Sequence, residues 1–438
     1  MTARARADIA GLAAATSLLV VVARWAHGGG LRELDWSSAG RLTGLLSADL
    51  LLLQVFSLAR IPLVERAFGQ DRLARWHRWT GFASFHLLVL HIALISIGYA
   101  VPVHTNVIRQ LWDLIVTYPG MLLAAAAAVL LTMVVVTSVR AARRRMSFES
   151  WHLLHLYAYL GIGLALPHQL WTGADFVSSP AARAYWWTLY LAAAGAVLVF
   201  RVGLPVVRNL RHRLQVEAVV PESPGVTSVY LRGRRLDRLP VRAGQFFLWR
   251  FLDGPGWSRA NPYSLSAPPA SGLLRITVKD LGDGSSRASR LRPGTRVLVE
   301  GPYGRFTGED YRGGPVAMFA CGVGVTPFLS LLGDLPYRPG EATLVYRARS
   351  SGDLAFRAEL EWYAANRGVR ILPMLGSRGS SWLPSQYAGR ADIRALVPHI
   401  NRHHVYICGP DDWSAAVRRD ALAAGVPADR VHHESFAW

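Results

Sequence analysis

The chain has 438 residues, of which 51% are hydrophobic, and a formal net charge of +19 at pH 7. This length allows roughly two or three domains. The apolar residues concentrate in residues 8–205, while the remainder has an ordinary α/β composition. Cys321 and Cys408 are the two cysteines, too few for a four-cysteine iron–sulfur cluster or a disulfide framework. The arginines lack the aromatic interleaving of a single-strand binder, so no nucleic-acid partner is expected.

Six apolar stretches have the length of a membrane-spanning helix, which needs about 20 residues. They lie near residues 8–26, 43–64, 79–101, 119–140, 151–170 and 184–205. Arginines are dense at 60–78, 140–145 and 201–213 and sparse in the alternate loops. The positive-inside rule therefore predicts a multi-pass protein of the cell membrane, with both termini in the cytoplasm. The alternative for the first stretch is a signal peptide, because Arg4 and Arg6 precede it and small residues end it.

Two of these predicted helices carry widely spaced histidines, His77 and His91 in the third and His155 and His168 in the fifth. Ionisable side chains inside membrane helices are costly and usually functional. His77 and His91 are separated by about 21 Å along an ideal helix and share nearly one face. His168 is rotated from His155 by about 140° unless Pro167, directly before it, bends the helix. Side by side, the helices offer two histidine pairs, the ligand set of low-spin haem in electron transfer.

The spacing of these histidines resembles the transmembrane domain of ferric reductases and NADPH oxidases. In that family, the third and fifth helices hold two stacked b-type haems. The resemblance implies that His77 and His155 bind an inner haem, and that His91 and His168 bind an outer one.

Residues 211–312 form a run of short alternating segments separated by turn clusters. Many short strands with such punctuation predict a small antiparallel β-barrel. The predicted strands are Leu214–Val220, Val226–Arg232, Gln245–Phe251, Leu273–Val278 and Arg296–Glu300.

A short motif in this region is similar to the flavin motif of ferredoxin reductase-like domains, where a tyrosine packs on the isoalloxazine ring and a serine hydrogen-bonds the flavin. Its residues are Asn261, Pro262, Tyr263 and Ser264. Asn261 stands where the family has a pyrophosphate-binding cation, and Arg259 is the candidate substitute. Backbone N–H groups and hydroxyls of a following turn are further candidates for the FAD pyrophosphate. They belong to Gly282, Ser285 and Ser286.

From residue 313 strands and helices alternate, which predicts a Rossmann-like α/β domain. The turn after the strand Val316–Ala320 resembles the Gly-x-Gly-x-Thr-Pro turn of the same reductases. Glycines there allow the backbone to approach a pyrophosphate. The candidate residues of this turn are Gly322, Gly324, Thr326 and Pro327. After the next strand, Arg347 and Arg349 favour the 2′-phosphate of NADPH, with NADH as the alternative.

Two motifs near the end of the chain complete the resemblance. Cys408, Gly409 and Pro410 are similar to the Cys-Gly-Pro element beside the nicotinamide in these reductases. Phe436 matches the near-terminal aromatic residue that covers their flavin. Cys408 and Phe436 are therefore the candidate catalytic residues.

The sequence thus predicts a multi-domain protein. It comprises a six-helix transmembrane bundle (1–210), an antiparallel β-barrel FAD domain (211–312) and a Rossmann-like α/β NAD(P) domain (313–438). The implied function is electron transfer from NADPH or NADH through FAD and two b-type haems to an extracytoplasmic acceptor, a ferric complex or O2. Ile95 favours ferric iron, because oxidases of the family tend to have a histidine at that position. Two alternatives stay open: a tethered flavin reductase without haem, and a haem-binding sensor or scaffold with a degenerate reductase tail.

Overall fold

The computed structural model describes residues 3–32, 34–146, 148–173, 176, 179–270, 272–282, 284–377, 379, 381–387, 389 and 391–435. The chain divides into two compact units, Met1–Leu204 and Pro205–Trp438. The first unit is helical. Its helices are α1 (Ala3–Trp25), α2 (Trp36–Leu58), α3 (Pro62–Phe68), α4 (Gln70–Ala100), α5 (Val107–Thr117), α6 (Met121–Ser138), α7 (Arg140–Arg143), α8 (Phe148–Thr172) and α9 (Pro180–Ala196).

Five helical segments of the described chain are long and apolar enough to cross a membrane. They are Asp8–Gly30, Trp36–Leu58, Arg72–Ala100, Met121–Ser138 and Pro180–His212. The remaining predicted span, 151–170, lies in α8, which has 25 residues and stays helical through Pro167. Helix α8 is not among these five segments, because its three histidines lower its mean hydropathy. A sixth span therefore stays a prediction.

Helix α2 begins and ends at identifiable signals that shift it from the predicted 43–64. The Asp35 carboxylate accepts a hydrogen bond of 2.7 Å from the Ser38 N–H, which caps the helix start. The helix ends at Leu58, and Pro62 occupies the first turn of α3, where proline is tolerated because no intrahelical donor is needed there.

Small residues on α2 allow α4 to pack closely against it. A Cβ atom at Gly40 would lie 2.9 Å from the Ile95 side chain, and one at Gly44 would lie 2.5 Å from Nδ1 of His91. One turn further, the Ser47 hydroxyl donates to the Ser84 carbonyl oxygen at 2.7 Å. Small residues spaced four apart bring membrane helices together, and here they fix α2 beside the histidine-bearing α4.

The second unit begins with α10 (Leu204–His212) and six antiparallel strands. These are β1 (Gln215–Ser223), β2 (Val226–Arg232), β3 (Phe246–Phe251), β4 (Asn261–Ser264), β5 (Leu273–Lys279) and β6 (Val297–Tyr303). They form two three-stranded sheets, β1-β2-β5 and β4-β3-β6. Single bridges, Gln215 with Arg296 and Leu265 with Ile276, join the sheets at both edges. The strands enclose one core, with Phe247 and Trp249 fully buried. One continuous barrel sheet stays a prediction.

A five-stranded parallel sheet follows, in the order β11-β10-β7-β8-β9. Its strands are β7 (Val316–Cys321), β8 (Ala342–Ala348), β9 (Arg370–Leu375), β10 (His404–Gly409) and β11 (Val431–Ser435). Its helices are α11 (Thr326–Asp334), α12 (Arg357–Arg367), α13 (Ile393–Leu396) and α14 (Asp411–Ala423). The strand order reverses between β7 and β10, and ligands of such sheets bind outside the carboxyl ends of the strands at this point.

An ion pair joins the antiparallel strands to the parallel-sheet region. Arg275 of β5 binds Glu359 of α12 through two hydrogen bonds, of 2.8 and 3.0 Å. The same guanidinium donates to the Ser266 carbonyl oxygen and lies 5.2 Å from the Phe356 ring centroid. Because the Arg275 side chain is only 8% exposed, removing its partner would leave a nearly buried charge unpaired.

We therefore expect Glu359→Ala to destabilise the second unit by roughly 1.5–3 kcal/mol, the range for hydrogen bonds to charged groups. Glu361→Ala is the matched control, since Glu361 is exposed on the same helix. Thermal unfolding followed by near-ultraviolet circular dichroism measures both variants. Equal melting temperatures for the two would show that the ion pair contributes nothing to stability.

Candidate functional site

The first predicted histidine pair meets across the space between two helices. The ring centroids of His77 on α4 and His155 on α8 are 5.8 Å apart, with their planes at 61°. Helix α4 packs closely on α2, and α8 packs closely on α6. In the described part of the chain, the backbones of α4 and α8 are not in comparable contact. The two imidazoles therefore provide a side-chain contact between α4 and α8.

The second pair is oriented by hydrogen bonds at Nδ1. Nδ1 of His91 lies 2.8 Å from the Gly40 carbonyl oxygen, to which it can only donate. Nδ1 of His168 lies 2.8 Å from the Thr172 hydroxyl, whose own hydrogen is directed to the His168 carbonyl oxygen at 2.7 Å. Nδ1 of His168 is therefore also the donor.

These hydrogen bonds make both imidazoles of the second pair suitable iron ligands. A neutral imidazole that donates from Nδ1 carries its lone pair on Nε2, and ligating histidines usually have such a partner on the other nitrogen. At the first pair, the Ser138 hydroxyl lies 3.3 Å from Nδ1 of His155. These contacts fit imidazoles that would bind haem iron through Nε2. The number of haems and the assignment of their ligands stay predictions.

His86 differs from the four paired histidines. It is exposed on α4, and its Nδ1 contacts the Phe82 carbonyl oxygen of its own helix at 2.7 Å. This side chain is turned away from the ligand pairs and offers a control for them.

The flavin motif lies in the wall of a cavity of about 300 Å³ in the second unit. Asn261 and Tyr263 line it, together with Gly284 and Ala288 from the turn that follows β5. Pro262 and Ser264 belong to the same strand, β4, and Ser264 is buried. Burial raises the pKa of the Tyr263 phenol to about 12, so the ring stays neutral and able to pack against an aromatic ligand.

The turn after β5 offers its backbone to the cavity, whereas the hydroxyl of Ser285 forms hydrogen bonds within the turn. The Ser285 hydroxyl accepts from the Leu281 N–H at 2.8 Å and donates to the Gly282 carbonyl oxygen at 2.7 Å. This hydroxyl therefore holds the turn closed. Ser286, also a candidate, is half-buried in the same turn.

Two arginines line the cavity, and the sequence analysis identified only one of them. Arg259 is the expected substitute for the cation missing at Asn261. Arg287 follows the predicted turn directly and is paired with Asp253, also in the cavity wall. In the sequence, Arg287 directly follows the candidate residue Ser286. Its place in the cavity wall could not be predicted, because β4 and the turn after β5 come together only in the folded chain.

The nicotinamide-binding motifs meet at the reversal point of the parallel sheet. A Cβ atom at Gly324, after β7, would overlap the Cys408 carbonyl oxygen of β10. One at Gly409 would lie 2.8 Å from the Cβ of Cys321. Gly322 adopts φ +57°, in the left-handed region. Glycine is thus required where the two turns touch, and the N-terminus of α11, at Thr326 and Pro327, opens at this crevice.

Of the two candidate catalytic residues, Cys408 and Phe436, the structure describes Cys408. Cys408 is fully buried, and burial raises the pKa of its thiol well above the ordinary value, so it is a neutral thiol and no nucleophile. Pro410 precedes α14 directly. Glu434 of β11 pairs with Cys408, and Ser435 with Gly409. Phe436 lies outside the described residues.

The two arginines after β8 have separate environments. Arg347 is 6% exposed, and its Nη1 donates to the carbonyl oxygens of Ala348 and Gly376, each at 3.0 Å. Arg349 is exposed. Beside it, the Asp353 carboxylate accepts from the Ser350 hydroxyl at 2.8 Å, which lowers the pKa of that carboxyl. Arg349 is thus accessible to a phosphate, whereas Arg347 is occupied by backbone.

Comparisons with known proteins assign each half of the chain. Residues 43–166 match the family "Ferric reductase like transmembrane component", and residues 318–419 match "Oxidoreductase NAD-binding domain". The flavohemoprotein of Bordetella pertussis is 32% identical over 236 residues, which cover 49% of this chain and 58% of that protein. The chain thus spans little more than half the length of this relative.

Two further proteins match the second half. Ferredoxin–NADP reductase B of Sorangium cellulosum is 33% identical over 236 residues, covering 50% of this chain and 95% of the relative. The FAD/NAD-binding domain of the nitric oxide dioxygenase of Vibrio cholerae is 25% identical, with a TM-score of 0.42, covering 51% of this chain and 98% of that domain. The chain therefore belongs to the ferredoxin–NADP reductase family in its second half and carries a ferric reductase-like transmembrane component in its first.

Proposed function

We propose that this protein is an NAD(P)H-dependent oxidoreductase of the cell membrane that transfers electrons through FAD and two b-type haems to an acceptor on the far side. The observation that carries the proposal is the contact between the His77 and His155 rings, in a chain that also contains a reductase of the ferredoxin–NADP type. By the positive-inside rule, the arginine-rich segments support a cytoplasmic location for the reductase unit.

The residues of the chain bind and orient the cofactors. When bound, FAD and haem supply the chemistry, since a flavin takes a hydride and releases single electrons that haem iron accepts one at a time. Tyr263 would pack on the flavin, and Arg259 and Arg287 would hold its pyrophosphate. The crevice at Gly324 and Gly409 would hold the nicotinamide dinucleotide.

Ferric iron complexes are the acceptor that we favour over O2. Ile95 lies one turn beyond His91 and packs against Gly40 of α2. An apolar side chain there supplies neither a proton nor a hydrogen bond to bound oxygen, whereas reduction of a ferric complex needs only close approach. O2 remains the second candidate, and superoxide formation would reveal it.

The choice of nicotinamide depends on the charges around Arg349. A 2′-phosphate would gain a charge-assisted contact from its guanidinium. The nearby Asp353 carboxylate opposes a second anion, which keeps NADH as the alternative substrate.

We expect the purified protein to bind two b-type haems. Replacing His77 or His155 by alanine removes one haem, and replacing His91 or His168 removes the other, because each haem loses an axial ligand. His86→Ala should retain both. Pyridine haemochrome quantification measures the haem content of each variant. A wild-type protein without haem would instead identify a tethered flavin reductase.

Arg287→Ala should weaken FAD binding roughly ten- to hundredfold, which corresponds to the loss of one hydrogen bond between charged groups. Arg290→Ala, an exposed arginine in the next turn, is the control. Fluorescence titration of the deflavinated protein gives the dissociation constants. Unchanged affinity in Arg287→Ala would exclude this residue from the pyrophosphate site.

Arg349→Ala should raise KM for NADPH roughly ten- to hundredfold while leaving KM for NADH nearly unchanged, since only NADPH carries the 2′-phosphate. Arg347→Ala should lower the melting temperature and affect both substrates alike, because its guanidinium binds backbone carbonyls. Steady-state kinetics with ferric citrate measures these effects. A similar rise for both nucleotides in Arg349→Ala would remove this residue from the 2′-phosphate site.

A further inference from the structure

A carboxyl group lies inside the helical unit, away from the histidine pairs. Asp49 of α2 is 0% exposed. Its Oδ1 lies 2.7 Å from the Ser17 hydroxyl of α1 and 3.2 Å from the Tyr185 hydroxyl of α9. The two hydroxyls are 2.8 Å apart. Three helices thus each contribute one polar side chain to a single cluster, the Asp49 triad (Ser17, Asp49 and Tyr185).

The cations near the triad are not paired with Asp49. Among the described residues, no arginine, lysine or histidine forms an ion pair with Asp49, and its Oδ2 is buried without a hydrogen-bond partner. The neighbouring cations are engaged elsewhere, Arg24 with the Ser179 hydroxyl and Arg183 with the Phe176 carbonyl oxygen. The same three helices otherwise contribute apolar side chains: Val21, Ala48, Leu52, Trp186 and Ala193.

An ionised carboxylate in this position would be unfavourable. Its charge would have no counter-ion in a membrane interior, and one of its oxygens would have no donor. The contacts also offer no cage for a metal ion, because the three side chains are already in direct hydrogen-bond contact with one another.

A neutral carboxyl group satisfies every hydrogen of the triad. A proton on Oδ1 of Asp49 points to the Ser17 hydroxyl, whose hydrogen points to the Tyr185 hydroxyl. The Tyr185 hydrogen then points to the Ser17 carbonyl oxygen, 3.3 Å away. Oδ2 becomes a carbonyl-type oxygen, and an unsatisfied acceptor of this kind is tolerated better than an unsatisfied donor.

We propose that the Asp49 triad is a protonation site of the membrane bundle, holding one proton at neutral pH and exchanging it as the charge of the bundle changes. The exchange would pass through the Ser17 and Tyr185 hydroxyls. The first part concerns the polypeptide alone, whereas the coupling to electrons rests on the proposed function.

The position of Asp49 along α2 supports this coupling between proton exchange and electron transfer. On α2 it is five residues from Gly44, which contacts His91, and five from Gln54, which lies against Gly81 of α4. Each separation is about 7.5 Å along the helix axis. Gly81 is one turn from His77, so Asp49 lies between the levels of the two histidine pairs. A proton there compensates the charge of an electron at either level.

Infrared spectroscopy of the full-length protein in lipid nanodiscs tests the site. We expect a carboxylic acid C=O band at neutral pH that Asp49→Asn removes. Asp113→Asn is the control, because Asp113 is exposed on α5, and it should leave the band in place. Ser17→Ala and Tyr185→Phe should each shift the band, since each removes a hydrogen bond, and they identify it even where Asp49→Asn fails to fold. Absence of the band in the wild type, or its persistence in Asp49→Asn, would overturn the proposal.

Reduction by dithionite tests the coupling. The carboxylic acid band should shift as the haem absorption changes, because the added charge alters the electrostatic field at a carboxyl that already holds its proton. Complete haem reduction with an unaltered band would refute the coupling. The band recorded before reduction would then still show whether Asp49 is protonated. A protein without haem absorption refutes the proposed function, and the band before reduction still decides whether Asp49 is protonated.

Discussion

The arrangement of the helical unit depends on how an imidazole is accommodated in an apolar bundle. A histidine ring has two nitrogens, and in a membrane interior each needs a partner. At His91 and His168, the protein binds Nδ1 with groups of its own, the Gly40 carbonyl oxygen for His91 and the Thr172 hydroxyl for His168. Nε2 is then left with its lone pair on both rings. The close packing of α2 on α4 at Gly40 and Gly44 brings the Gly40 carbonyl oxygen within hydrogen-bond distance of His91.

The reductase unit depends on a comparable constraint, the contact between two turns of the parallel sheet. Gly324 lies against the carbonyl oxygen of Cys408, and Gly409 lies against Cys321. Side chains at either glycine would separate the turns and close the space where a dinucleotide backbone has to enter. Cys408 itself is buried in β10, and its register partner on β11 is Glu434. Packing and ligand access are thus determined by the same few atoms.

The sequence predicted those features that depend on local pattern. The strand Val226–Arg232 has the predicted bounds, because apolar and polar residues alternate and turns flank it. The His77 and His155 rings lie in contact, in line with the spacing of the histidines, while their role as haem ligands stays a prediction from the family resemblance. Other features depend on contacts between distant segments and carry no local signal. Arg347 and Arg349 look alike in the sequence, yet only the fold shows that Gly376 takes up Arg347. Arg287 lies in the wall of the predicted flavin cavity for the same reason. The periodicity of the sequence also does not determine whether the strands close into a barrel or whether a sixth helix spans the membrane.

The contact of Gly44 with His91 links two properties that are normally separate. The glycine sets how near α2 comes to α4, and the carbonyl oxygen of Gly40 sets the rotation of the imidazole. The spacing between α2 and α4 and the orientation of the His91 imidazole therefore cannot change independently of each other. A lineage that drifts to a larger residue at position 44 must move the His91 imidazole as well as the helix, so this short stretch of α2 is expected to change more slowly than the exposed residues around it. The same coupling limits redesign: the histidine could be relocated along α4 only together with a rebuilt α2.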